Sequence, residues 1–324
     1  MSYKNLRQFV ETLEDLGELR RIDAEVDPLY EISEIADRVS KNYGPALLFE
    51  NIKGSSYPLL INAFGSYNRM NLALSCGSFN EIAAKLESSM KIRPPEGIVQ
   101  KVKMLFTLKE MANIIPKKVK TAPCHQKIFS DGPILDSLPI LTCWPKDGGP
   151  FITLPIVITK DPDTGIQNAG MYRMQKYDNL RTGMHWQYNK DGTRHFDKYK
   201  SRGQRMEVAV ALGGSPSVTY AATAPLPPDI DELVFAGFLE SRPIDIVKAK
   251  TVDLYVPAES DFVLEGYVDP DEELLEGPFG DHTGFYSAAD LYPVFHVTTL
   301  TCRNDAIFPA TVVGKPPMED CYMA

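Results

Sequence analysis

Three polar clusters in this chain of 324 residues have the residue types and spacing to do chemistry. In Asn168-Ala-Gly-Met-Tyr-Arg173 an amide oxygen precedes a guanidinium by five residues. On a regular strand the two would face opposite sides, and a bend at Gly170 would turn both toward one pocket. The plain reading of Arg173 is a surface arginine at a strand end. The second cluster is Leu264-Glu265-Gly266 followed by Glu276-Gly-Pro-Phe-Gly-Asp281-His282-Thr-Gly284. Gly277, Pro278 and Gly280 rule out a helix and stiffen a loop that can aim Glu276 and Asp281 into one cavity. Paired carboxyls there push their pKa values apart, giving one acid and one base, and an arginine between them keeps one ionised. The plain reading is an acidic turn. The third cluster is Thr223-Ala-Pro-Leu-Pro-Pro-Asp229-Ile-Asp231-Glu232. Asp229 or Asp231 caps the helix that follows, and Glu232 in its first turn suits the helix dipole. Oxygens of Asn168 and Glu232 together could hold a hard divalent ion, Mg²⁺ or Mn²⁺.

The histidines divide. His125 and His296 lack acidic or histidine neighbours at ligand spacing and read as structural. His185 in GMHWQYNKDG and His195 in TRHFDKY lie in a polar excursion, a ligand region or a solvated loop. His282, beside Asp281, is a candidate acid, base or substrate contact. The five cysteines are scattered and never spaced C-x-x-C, which excludes a disulfide framework and a cysteine-rich zinc site. No P-loop, no dinucleotide-binding glycine fingerprint, no H-E-x-x-H and no G-x-S-x-G occurs.

The elements that must hold these clusters can be read from periodicity. Leu6, Phe9, Val10, Leu13 and Leu16 predict an amphipathic helix over 5–17, and Leu29, Ile32, Ile35, Ala36 and Val39 predict a second, stopped by Gly44. ALLFENI (46–52) and PLLINAF (58–64) read as strands, and helical patterns cover 79–91 and 97–114. Residues 1–115 therefore form an α/β domain. Residues 116–150, rich in Pro, Gly and Lys, read as a wrapping linker. From Phe151 short strands follow one another, including MEVAVALGG, SVTYAAT, DFVLEGYV and PVFHVTTLTCR, with one helix near 229–240. This texture suggests a barrel or sandwich. With 44% hydrophobic and 24% charged residues the chain is too apolar for disorder. The net charge of −9 argues against nucleic acid as a partner. The N-terminus lacks a secretory signal and no stretch approaches a membrane span, so a cytoplasmic protein without a transmembrane segment is expected. The sequence stops at GKPPMEDCYMA with apolar content undiminished, and a longer natural chain is expected.

NAGMYRMQ (168–175), ALGGSPSVTYAATAPLP (211–227), DELVFAG (231–237), VLEGYV (263–268) and EGPFGDHTGFYS (276–287) resemble the UbiD decarboxylases, which use prenylated FMN. The resemblance covers essentially the whole chain. It implies an N-terminal α/β domain over 1–115, a split β-barrel of flavin-reductase type that binds prenylated flavin over 116–310, and a segment 311–324 returning toward the N-terminal domain. The C-terminal oligomerisation domain, with its lysine that reaches the flavin phosphate, lies outside these residues. The implied catalytic network is Arg173, Glu276 and Asp281. The implied flavin contacts are Thr153, Asn168, Met171, Arg173, Thr223, Ala224 and Pro225. The family's metal, Mn²⁺ (or Mg²⁺) with nearby K⁺, maps to Asn168, Glu232 and Asn189, where Asn189 replaces the family's histidine. The implied activity is reversible, non-oxidative decarboxylation of an aromatic or α,β-unsaturated acid, possibilities including a hydroxybenzoate-type quinone precursor. A flavin prenyltransferase would supply the cofactor, and the full-length form would be a homo-oligomer. The alternative is a catalytically silent or truncated scaffold that binds cofactor weakly or not at all, which Asn189 favours.

Overall fold

Leu6, Phe9, Val10 and Leu13 do pack inward from a helix, Leu6–Asp15, whose first turn is capped by Asn5 accepting from the Gln8 N–H. The computed structural model describes residues 2–90, 112–188, 190–227 and 230–323. A second amphipathic helix spans Glu31–Lys41 and another Phe79–Met90. Most of the helical pattern over 97–114, together with Asn189 and Asp229, lies outside the described residues. The strand Leu19–Ile22 runs parallel to Ala46–Phe49, which pairs antiparallel with Leu59–Ile61. The fourth strand of this sheet is Phe308–Pro309, contributed from near the other end of the chain.

The site is carried by a seven-stranded antiparallel sheet. Its path runs Arg181–Gly183, Asp290–Cys302, Phe262–Glu276, Met206–Leu212, Ile156–Lys160 and Gln167–Met171, with Lys127–Phe129 pairing beside Asp290–Cys302. The path is open, and no barrel closes among the described residues. The central strands carry apolar residues on both faces, because the core lies on one side and helices cover the other: Met206 and Val208 through Leu212 are all buried. The long hairpin Phe262–Glu276 with Asp290–Cys302 shifts register at Gly266, where a Cβ would stand 1.8 Å from the His296 carbonyl oxygen. Among the described residues no helix is long and apolar enough to cross a membrane.

Two expectations are corrected. SVTYAAT is not a strand: Pro216–Ala221 is a short helix opened by proline in its first turn, entered through Gly213 and Gly214 at φ of 74° and 88°. The polar excursion after His185 is not all loop: Asp191–Ser201 is a helix with His195 and Phe196 buried beneath it. The linker over 116–150 also contributes short strands, Lys117–Val119 and Lys127–Phe129.

Candidate active site

Arg173 follows the edge strand Gln167–Met171, and Glu276 is the last residue of Phe262–Glu276. The turn between Met171 and Arg173 depends on Gly170, because the Tyr172 ring occupies the space a Cβ would take, 2.6 Å away. Arg173 donates from Nε at 3.0 Å and from Nη2 at 2.8 Å, both to Oε1 of Glu276. Nη2 also donates to the Ser287 hydroxyl at 3.1 Å, and the guanidinium lies over the Phe279 ring, 4.5 Å from its centroid. Glu276 is 1% exposed, so this is a desolvated pair in which each charge depends on the other. A third contact reaches the same oxygen: His185 Nδ1 stands 2.8 Å from Oε1. Oε2 of Glu276 is buried with no hydrogen-bond partner.

The glycine-proline loop after Glu276 is held by the segment read as a linker. A Cβ on Gly148 would sit 2.4 Å from the Gly277 Cα, so the two backbones touch. Gln175 bridges them, donating to the Gly148 carbonyl at 2.7 Å and accepting from the Gly277 N–H at 2.7 Å. The Gly148 N–H donates to the Pro278 carbonyl at 2.7 Å, and the Gly280 N–H to Asp147 Oδ1 at 2.8 Å. Burial pushes the Asp147 carboxyl up, against the backbone N–H groups that it accepts. This bracket fixes Glu276 but not Asp281. Asp281 closes a tight turn with Gly284 and Phe285, and its Oδ1 accepts from the His282 N–H and lies 2.8 Å from His282 Nδ1. The structure thus joins Arg173 to Glu276 and leaves Asp281 with the exposed His282, rather than aiming both carboxylates at Arg173.

A cavity of about 540 Å³ lies against the edge strand. Asn168, Met171, Thr223, Ala224, Pro225 and Glu232 all line it. Thr153 does not: it is buried, and its hydroxyl accepts from the Thr311 N–H at 2.9 Å. Asp231, accepting from the Leu233 N–H at 2.7 Å, caps Glu232–Glu240 and so places Glu232 in the first turn. Glu232 accepts from Asn168 Nδ2 at 2.5 Å and from the Ala169 N–H at 2.9 Å. Burial pushes its carboxyl up to about 7, against the pull of the Ala169 N–H. Oδ1 of Asn168 is buried without a hydrogen-bond partner among the described residues. An orphaned amide oxygen beside a carboxylate is a donor set that suits a hard cation. Among the described residues no group of three His, Cys, Asp or Glu side chains gathers as a metal site.

The other histidines are settled by their partners. His195 Nδ1 lies 2.8 Å from the Thr159 hydroxyl, buried under its helix, and burial pushes its imidazole down. His125 is pushed down by burial as well. His296 does have an acidic neighbour: Nε2 lies 2.5 Å from Glu272 Oε2 across the hairpin. His185, one of two open candidates in the polar excursion, is the histidine that reaches the acid.

Residues 117–316 match the family described as 3-octaprenyl-4-hydroxybenzoate carboxy-lyase Rift-related domain, and residues 10–86 match its N-terminal domain. An uncharacterised protein of Archaeoglobus fulgidus is 51% identical over the whole chain, which covers 66% of that relative, and one of Aquifex aeolicus is 47% identical, with 67% of it covered. The chain spans about two thirds of the length of the relatives it matches. Among solved structures, the vanillic acid decarboxylase of Sedimentibacter hydroxybenzoicus superposes with a TM-score of 0.86 at 31% identity, covering 100% of this chain and 67% of that one. The enzyme HmfF of Pelotomaculum thermopropionicum in complex with FMN does so with a TM-score of 0.86 at 29% identity, covering 98% of this chain and 66% of that one.

Proposed function

The chain belongs to the UbiD carboxy-lyase family, and we propose from that premise that it carries out reversible, non-oxidative decarboxylation of an aromatic or α,β-unsaturated carboxylic acid with prenylated FMN. The observation that supports this most is the ion pair of Arg173 with the buried Glu276, two residues along the chain from Met171 at the edge of a flavin-sized cavity. The solved relatives named above are an aromatic acid decarboxylase and an FMN complex, which fits that reading. The Rift-related match favours reading the open sheet as a split barrel.

In this proposal Asn168 and Glu232 would hold Mn²⁺ or Mg²⁺ at the cavity wall, with K⁺ nearby, and the resemblance makes Asn189, outside the described residues, the expected third ligand. Met171, Thr223, Ala224 and Pro225 would wall the flavin, and Thr153 is the expected contact that does not line the cavity. When bound, prenylated FMN supplies a ring that accepts the electrons released as CO₂ departs. The protein's own part is orientation and proton handling. Arg173 pairs with Glu276 through two N–H donors and fixes the orientation of its carboxyl. Asp281, at the far end of the same turn, is the proton donor once its carboxyl leaves His282. A flavin prenyltransferase supplies the cofactor, and the working form is a homo-oligomer. A hydroxybenzoate-type quinone precursor fits the substrate class. The experiment is direct: produce the chain with a flavin prenyltransferase, desalt it, record the visible spectrum, and measure CO₂ release from hydroxybenzoates and cinnamate-type acids. A silent scaffold would show neither a visible band nor CO₂, and Asn189 in place of histidine favours that second reading.

A further inference from the structure

The two oxygens of Glu276 are unequal in a way that neither the Arg173 pair nor the family assignment explains. Oε1 meets Arg173 Nε at 3.0 Å, Arg173 Nη2 at 2.8 Å and His185 Nδ1 at 2.8 Å. Oε2 is buried and has no hydrogen-bond partner among the described residues. A carboxylate already bonded to a guanidinium can only accept, so the 2.8 Å contact requires the hydrogen of His185 to be on Nδ1, leaving Nε2 as an acceptor when the ring is neutral. The ring is held in that orientation by Tyr292, whose centroid lies 4.4 Å away at 33°. The buried His195 contrasts with it: the Thr159 hydroxyl, 2.8 Å from its Nδ1, can donate or accept, so that contact fixes no tautomer. His185 faces an oxygen that only accepts, and its N–H goes to the buried acid.

From this, and resting on the decarboxylase reading, we infer that His185 is a positioning residue: with Arg173 it saturates Oε1 of Glu276 and so presents Oε2 as the one oxygen through which that carboxylate meets a proton. Three donors on one oxygen withdraw charge from it and stop the carboxylate from rotating. The bare oxygen keeps its lone pairs for the hydrogen of the donor acid or of the substrate. When a proton arrives on Oε2 the Oε1 contacts persist, and when it leaves, Arg173 and His185 stabilise the anion.

Two variants and one spectroscopic measurement test this. Asparagine can place its Nδ2–H where Nδ1–H stands, and leucine cannot donate. His185→Leu should lower kcat about ten- to hundredfold, the scale of one lost hydrogen bond to a charged group, with KM changed less than about threefold. His185→Asn should recover most of that loss. Nitrogen-15 NMR of the cofactor-free wild type at alkaline pH should show His185 as the Nδ1–H tautomer. Wild-type turnover in His185→Leu, or a hydrogen on Nε2 in the wild type, would overturn the inference, and so would an Asn variant as slow as the Leu variant. If the loaded wild type decarboxylates nothing but His185 is the Nδ1–H tautomer, the decarboxylase reading has failed and the positioning of Glu276 stands.

Discussion

Removing one member of a buried charge pair strands the other, and at the Arg173–Glu276 contact that cost falls where the chemistry is proposed. Glu276→Gln keeps the shape but leaves Arg173 facing a neutral amide. Turnover should fall at least about 10²-fold, the scale of a lost acid or base, while the visible band of the bound cofactor persists on gel filtration. Asp281→Asn should cost a similar factor if Asp281 is the proton donor. Near-normal turnover in that variant would reduce Asp281 to an ordinary turn residue paired with His282. Residue types and spacing put Arg173, Glu276, Asn168 and Glu232 among the candidates beside plain structural readings, and the family resemblance joined Arg173 to Glu276. They could not single out His185. It lies 91 residues before Glu276 in sequence, and the contact exists only because two separate strand pairings bring Arg181–Gly183 and Phe262–Glu276 onto the same partner, Asp290–Cys302.

At the scale of elements, the support for Glu276 comes from the stretch whose composition reads as linker. Pro, Gly and Lys without a period do indicate irregular backbone, but not that Gly148 must touch Gly277. The pair of glycines at 148–149 opposite the glycine at 277 was the available signal, and it becomes interpretable only with the pairing known. Gly148→Ala should push the two backbones apart. The expected cost is roughly 1–3 kcal/mol, as for an overpacked contact, read as a lower urea midpoint. Turnover should drop with it, because the Gln175 bridge and the loop after Glu276 move together. An alanine variant with unchanged midpoint and turnover would show that the bracket gives way freely. The misread helix Pro216–Ala221 has a similar lesson. SVTYAAT carries β-branched residues that favour strands, and the local signal that wins is Pro216 in the first turn, one residue past two glycines in left-handed conformation.

For the whole molecule, the α/β and β-rich halves were legible from period, but their interlocking was not. Phe308–Pro309 completes the first sheet, and Glu319 ties the late segment to it by accepting from the Asn62 N–H at 3.0 Å and the Phe64 N–H at 2.7 Å. Contacts of such sequence separation leave no local periodicity. Burial pushes the Glu319 carboxyl up to about 7, the backbone N–H groups opposing it. A carboxyl raised in the folded state holds its proton while the unfolded chain has released it, so stability falls as pH rises from about 4.3 toward 7, and no penalty exists below that window. The contribution is on the order of 3 kcal/mol. Urea unfolding at pH 4.5 and 7.5 should show a smaller pH dependence in Glu319→Gln than in the wild type, and an equal dependence would place the titration elsewhere. The central claim is that this scaffold loads prenylated FMN and uses Glu276, held by Arg173, to decarboxylate an unsaturated acid. Its most direct test is proton NMR of the cofactor-loaded protein in D₂O with a panel of hydroxybenzoic and cinnamic acids. The account predicts loss of CO₂ with one deuterium at the vacated carbon for at least one acid, abolished in Glu276→Gln. Loaded wild-type protein that leaves every acid in the panel intact, or a Glu276→Gln variant that turns over as fast as the wild type, would contradict it.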